Sequence, residues 1–220
     1  MQFVNDRMKK IPISGGLYEI FQQALSLEKK GRSITHMEIG RPDFDTPEFA
    51  KQATIKALND GFVHYTEMIG IDELRYAIAE KEKRCNGIDV DPDTEITVTA
   101  GACEALFSIM IAILNPGDEI IIPSPYFSAY KDMAIVEVPL KIENGFRLKV
   151  DDVEERVTSK TKAVLLNTPH NPTGAILEYE DLKAMAELVK KHDLLMVSDE
   201  TYDQFLFEGR HISISTFEGM

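Results

Sequence analysis

Five short runs of apolar or β-branched residues recur along the chain: "ITVT" at 96 to 99, "EIIIP" at 119 to 123, "IVEVPL" at 135 to 140, "AVLLN" at 163 to 167 and "LLMVS" at 194 to 198. Most are bounded by Gly, Pro, Asn or Asp, the pattern of strands buried on both faces. Between them the period changes to that of a helix. In "EDLKAMAELVKKHD" the residues Leu182, Met185, Ala186 and Val189 fall at i, i+3, i+4 and i+7, and Lys190, Lys191 and His192 close the last turn, where the negative end of the helix dipole favours cations. Thr46 precedes Pro47 and Glu48 as an N-cap would, and Asp72 stands where it could cap "ELRYAIAEKEKR",. Strands alternating with helices predict a three-layer α/β/α domain with a mainly parallel sheet. Ligands of such sheets bind at the carboxyl ends of the strands.

Composition narrows the classes of partner. With 220 residues, 44% hydrophobic, and no long polar or repetitive tract, the chain can bury a substantial core,. Its net charge of -13, from 37 acidic against 24 basic residues, argues against nucleic acid, whose phosphates are bound by clustered Lys and Arg. Cys85 and Cys103 lie in unrelated contexts and no Cys or His pair has zinc-ligand spacing, so neither a disulfide framework nor a metal site is expected. The start, "MQFVNDRMKK", has no apolar signal core, and no apolar run is long enough to span a bilayer,. These readings point to a cytoplasmic protein without a membrane partner.

Three strand ends carry the chemistry. "ITVT" runs into Ala100-Gly101-Ala102-Cys103, small residues that turn directly into the apolar helix "ALFSIMIAIL". Free amides at a helix start, with its dipole, suit a phosphate, although neither a dinucleotide fingerprint nor a P-loop is present. "AVLLN" runs into "NTPHNPTG", in which Pro169 and Pro172 hold Thr168 and Asn171 extended,. That loop is either a stiff turn or a rigid mount for a side chain. "LLMVS" runs into Asp199-Glu200-Thr201-Tyr202, where Asp199 is a helix cap, a satisfied structural carboxylate or a ligand group.

Six motifs stand in order: "GRPDFDTP" at 40 to 47, "YTEMIGIDELR" at 65 to 75, "TAGACEAL" at 99 to 106, "NPGDEIIIPSPYFSAY" at 115 to 130, "NTPHNPTG" at 167 to 174 and "SDETYDQFLFEG" at 198 to 209. Together they resemble the class I/II aminotransferases, pyridoxal 5'-phosphate (PLP) enzymes of fold type I, from about residue 11 onward. The resemblance implies transfer of an amino group between an L-amino acid and a 2-oxo acid. It further implies that the amides of Ala102 and Cys103 hold the cofactor phosphate, Tyr126 stacks on the pyridine ring, and Asn171 and Tyr202 bond its phenolic oxygen. Asp199 would pair with the ring nitrogen. Gly40 would lie near the substrate carboxylate, with Tyr126 and Asn171 also at the substrate. Tyr65 would reach the phosphate of the other subunit of a homodimer.

Other residues invite blander readings. The family uses the backbone of Cys103 rather than its thiol, and His64 and His170 read as solvated or locally bonded. Ser159-Lys160-Thr161 mimics the family's Ser-Lys signature but precedes "AVLLN", the wrong place in the order, so Lys160 is rejected as the lysine that bonds the cofactor aldehyde. That lysine is expected after Met220, which leaves no catalytic residue within the chain and makes the large domain incomplete. Residues 1–45 are expected to form an N-terminal arm and small-domain segment, and 46–220 the PLP-binding domain, inactive alone. The same motifs would also serve a PLP-dependent C–S lyase or a non-catalytic PLP-binding module.

Overall fold

The computed structural model describes residues 16–131 and 135–220; the reading of the first ten residues lies outside them. The chain divides into two compact units, Met1–Thr66 and Glu67–Met220.

In the first unit, α1 spans Leu17–Lys29 and α2 spans Glu48–Asn59. His36 packs edge-on against Phe21, with ring centroids 5.9 Å apart, and sits between the carboxylates of Glu28 at 3.1 Å and Glu38 at 2.6 Å. The cap of α2 differs from expectation. Pro47, with φ -55 and ψ 140, occupies the N-cap position, and the amide of Thr46 donates instead to Asp45 at 2.8 Å. Proline's fixed φ suits an extended cap as well as a first helical turn, so it shifts the helix start by one residue.

The second unit opens with α3, Asp72–Asn86, whose N-cap is Ile71. Asp72 lies inside the first turn and its carboxylate pairs with Arg75 rather than capping. Arg75 is 3% exposed and also donates to the carbonyls of Gly70 and Pro92; a buried guanidinium needs such acceptors and takes the nearest carboxylate. Residues 96–99, expected as a strand, form none. Val98 N–H donates to Ile69 O at 2.9 Å, and no strand lies beside the segment among the described residues. A β-prone sequence becomes a strand only where a neighbour completes its ladder.

The chain then forms α4 at Ala102–Ile113, β1 at Glu119–Ser124, β2 at Ile135–Pro139, α5 at Val150–Glu154, β3 at Thr161–Asn167, α6 at Tyr179–Lys191 and β4 at Leu195–Asp199. The four strands make one parallel sheet in the order β2-β1-β3-β4. Alternation along β1 and β3 sends side chains to two cores. Ile121, Val164 and Leu166 join Leu182, Met185 and Val189 of α6 on one face, and Ile120, Ile122 and Leu165 join Leu106 and Met110 of α4 on the other. This is the three-layer α/β/α arrangement with a parallel sheet, and burial on both faces explains why the strand runs are continuously apolar. The helical stripe of Leu182, Met185, Ala186 and Val189 is buried as its spacing predicts.

Candidate functional site

The carboxyl ends of β3 and β4 and the start of α4 enclose a cavity of about 270 Å³. Among its lining residues are Ala102, Cys103, Asn171, Asp199 and Tyr202, which the topology brings together from the start of α4 and the ends of two neighbouring parallel strands,. At one wall, Gly101 caps α4 with φ 80 and ψ 170, a backbone region that glycine enters without strain,. Glu104 returns its carboxylate to the amide of Ala100. The amides of Ala102 and Cys103 have no protein acceptor among the described residues, so the positive end of α4 is open to an anion.

Asp199 is set by the ladder. It pairs with Asn167 across β3 and β4, and its carbonyl accepts from Thr168 N–H at 3.1 Å and Asn167 Nδ2 at 2.9 Å. Its carboxylate accepts from Tyr130 Oη at 2.5 Å on Oδ2 and from Thr201 Oγ1 at 2.6 Å on Oδ1. Asn171 is held from behind, its amide N–H donating to Asn167 Oδ1 at 2.8 Å, while its Nδ2 donates to the Tyr202 hydroxyl at 3.3 Å. The stiff loop therefore mounts a side chain. Its bonds run through Asn167, whose side chain ties the loop to β4.

Sequence reasoning missed Tyr130 and Phe127. Tyr130 is 1% exposed; burial, then its bond to Asp199, raises its phenol far above the ordinary range, so it is a fixed donor to that carboxylate,. Phe127, rather than Tyr126, lines the cavity. Tyr126 directs its hydroxyl to Glu137 at 3.0 Å and lies over Tyr130, centroids 6.4 Å apart. The turn after β1 decides which of the two adjacent aromatics faces the cavity, and Phe127 packs edge-on against Tyr130 there, ring centroids 5.8 Å apart.

Gly40 and Tyr65 belong to the first unit and are exposed. Lys160 is exposed ahead of β3, and no lysine lines the cavity. His170 is buried, with Nδ1 2.7 Å from Thr173 Oγ1, and burial lowers its pKa below the ordinary value; it is a locally bonded residue of the loop. Cys103 is an exposed free thiol. Among the described residues no group of three His, Cys, Asp or Glu could hold a metal, and no helix is long and apolar enough to cross a membrane. A second cavity, about 540 Å³, adjoins the first at Asn171 and Tyr202 and is walled by Phe205 and Phe207.

Open amides, a carboxylate and an amide–phenol pair in one cavity fit a ligand with a phosphate, a protonated ring nitrogen and a phenolic oxygen, which is the donor and acceptor pattern of PLP. Fold and cavity thus define a parallel α/β domain that presents these groups together at one end of its sheet. A family model described as aminotransferase class I and II matches residues 32–218, and the chain belongs to that family. It is 42% identical to aromatic-amino-acid aminotransferase 2 of Thermococcus litoralis over 99% of this chain and 56% of that protein. It is 44% identical to a probable aspartate/prephenate aminotransferase of Aquifex aeolicus over 90% of this chain and 52% of that one. A solved structure, aspartate aminotransferase from Thermus thermophilus with maleate, superposes with a TM-score of 0.92 at 40% identity, covering 98% of this chain and 57% of that one. The chain spans about half the length of the curated relatives it matches.

Proposed function

We propose that residues 1–220 supply most of the PLP site of an aminotransferase that moves an amino group between an L-amino acid and a 2-oxo acid. The observation that carries this reading is the placement of Asp199 in one cavity with the open amides of Ala102 and Cys103. When bound, PLP supplies an electron sink, effective while its ring nitrogen stays protonated. Asp199 holds that proton through a charge-assisted bond worth about 1.5–3 kcal/mol, and Tyr130 and Thr201 fix the carboxylate that does so. The two amides hold the phosphate, Asn171 and Tyr202 orient the phenolic oxygen, and Phe127 offers an apolar face to the ring.

Beyond the cavity, the reading gives Gly40 to the substrate carboxylate and Tyr65 to the phosphate of a partner subunit in a homodimer. It makes the protein a cytoplasmic enzyme of amino acid metabolism and biosynthesis. No lysine lines the cavity, so this reading assigns no residue within it to bond the aldehyde. In the full-length enzyme, Asp199→Ala should retain PLP but lose most transamination, read by keto-acid production beside cofactor absorbance. Near wild-type turnover in that variant overturns the assignment.

A further inference from the structure

The segment Asp199-Glu200-Thr201-Tyr202-Asp203, which follows β4, sends its side chains two ways. Asp199, Thr201 and Tyr202 line the cavity. Glu200 and Asp203 are bonded elsewhere. Glu200 Oε1 accepts from Ser198 Oγ at 2.7 Å and Ser213 Oγ at 2.8 Å, and Oε2 lies 2.7 Å from His211 Nε2. The side chains of Glu200 and His211 are 17% and 5% exposed, and Ser213 is 2% exposed. Asp203 accepts from Lys81 Nζ of α3 at 2.5 Å. Burial pushes the Glu200 carboxyl up, but its bonds to His211, Ser198 and Ser213 outweigh this and hold it below the usual carboxylate range,.

A carboxylate with so many buried partners is a stiff fixture, since losing one partner leaves the others unsatisfied. It is also the immediate neighbour of Asp199. Glu200 links Asp199, the last residue of β4, to Tyr202 in the turn that follows, so a change in its backbone angles would alter how Asp199 faces Tyr130 and how Tyr202 faces Asn171. Its partners come from two segments, Ser198 on β4 and His211 and Ser213 beyond the turn, so Glu200 ties the strand end to the chain that follows it.

We propose that Glu200 is a positioning residue, whose buried anchorage to Ser198, Ser213 and His211 fixes the direction in which Asp199 and Tyr202 face the cofactor. It rests on the reading of the cavity as a PLP site, and predicts an effect confined to the part of the ligand that Asp199 and Tyr202 meet. The phosphate, held at α4, should be indifferent to it.

The test uses the full-length protein and two probes, PLP and inorganic phosphate, with Glu200→Gln as a near-isosteric variant and His211→Ala as a second that removes the anchor from its other end. A lost supporting bond around a ligand group typically weakens binding about tenfold or more, so Glu200→Gln should raise the Kd for PLP by about that factor while phosphate affinity stays within about twofold, and His211→Ala should follow in the same direction. Equal loss of both probes, or no loss of PLP, overturns the inference. Amide exchange supplies a readout that needs no ligand. Thr201 N–H donates to the Asp199 carboxylate, whereas Thr168 N–H donates to the Asp199 carbonyl. Glu200→Gln should speed exchange at Thr201 and leave Thr168 unchanged. If the wild-type protein binds no PLP, the proposed function fails, and Thr201 exchange then decides the positioning role: an unchanged rate overturns it.

Discussion

Two helices of 13 residues each, α1 in the first unit and α6 in the second, show how differently the two regions treat apolar sequence. Within α1 only Ala24 is buried, whereas α6 buries Leu182, Met185, Ala186, Leu188 and Val189. The contrast extends beyond them. Phe44, Phe49 and Phe62 are 70–86% exposed, while Ile120, Ile121, Val164 and Leu165 are fully enclosed. Helical hydrogen bonds are local and form wherever the sequence permits, but a helix gains most of its stability only when a sheet or another helix takes its apolar face. The second unit supplies that sheet. The first leaves most of its apolar helix residues at the surface.

The comparison breaks if a matched pair of truncations behaves alike. Leu165→Ala opens a hole between β3 and α4 and should lower stability by about 2–5 kcal/mol. Leu58→Ala, on α2 and 58% exposed, should change it by no more than about 0.5 kcal/mol. Urea unfolding followed by circular dichroism measures both. Similar losses would mean that α2 is packed far better than its exposure indicates.

What the sequence disclosed follows the same division. β1, β3, β4 and α6 were legible because each is buried against its neighbours, so its apolar period survives in the letters. The segment 96–99 was misread because Ile96 and Val98 have β character but a strand needs a second chain segment, which no local pattern contains. Thr46 and Asp72 were misread as caps because capping depends on where the helix begins to within one residue. In the cavity, the residues fixed by backbone position, Ala102, Cys103, Asn171 and Asp199, fell where the strand ends put them. Tyr126 and Phe127 could not be told apart, since the choice lies in a turn. Tyr130 and Glu200 stand inside two of the motifs, but the letters do not say that Tyr130 bonds Asp199 or that Glu200 turns away to His211 and Ser213.

A smaller effect sharpens the contrast at the backbone. Gly70 in the second unit and Gly61 in the first both have positive φ, +103 and +87. Alanine at either costs about 1–2 kcal/mol from backbone strain alone. At Gly70 its Cβ would also lie 2.5 Å from Val98 Cγ2, whereas nothing lies within 4 Å of Gly61. Overpacking of this kind adds about 1–3 kcal/mol, so the difference between Gly70→Ala and Gly61→Ala isolates close packing from strain. Equal melting shifts for the two variants would show that Val98 moves aside freely.

The smallest effect contrasts one group from each unit, Glu200 and His36, whose responses to pH have opposite sign. Glu200 has its pKa lowered on folding, so its stabilisation is complete above the ordinary carboxylate value of about 4.3 and is lost as pH falls through the lower folded value,. His36 has its pKa raised, first by its bond to Glu38 and then by that to Glu28. Its contribution is therefore complete below the ordinary imidazole value of about 6.5 and fades as pH rises through the higher folded one. Because the His36 pair meets solvent, salt should screen the effect, which will show more clearly in a ring titration by NMR than in a melting curve. The His36 midpoint should stand above that of a histidine in an unfolded peptide and fall back in Glu38→Gln. Glu200→Gln should instead remove part of the acid-side loss of stability and leave the His36 titration unmoved. A His36 midpoint at or below the unfolded value would mean that its carboxylate partners do not hold it in solution, and the first unit would lose a polar cluster that ties α1 to the segment after it.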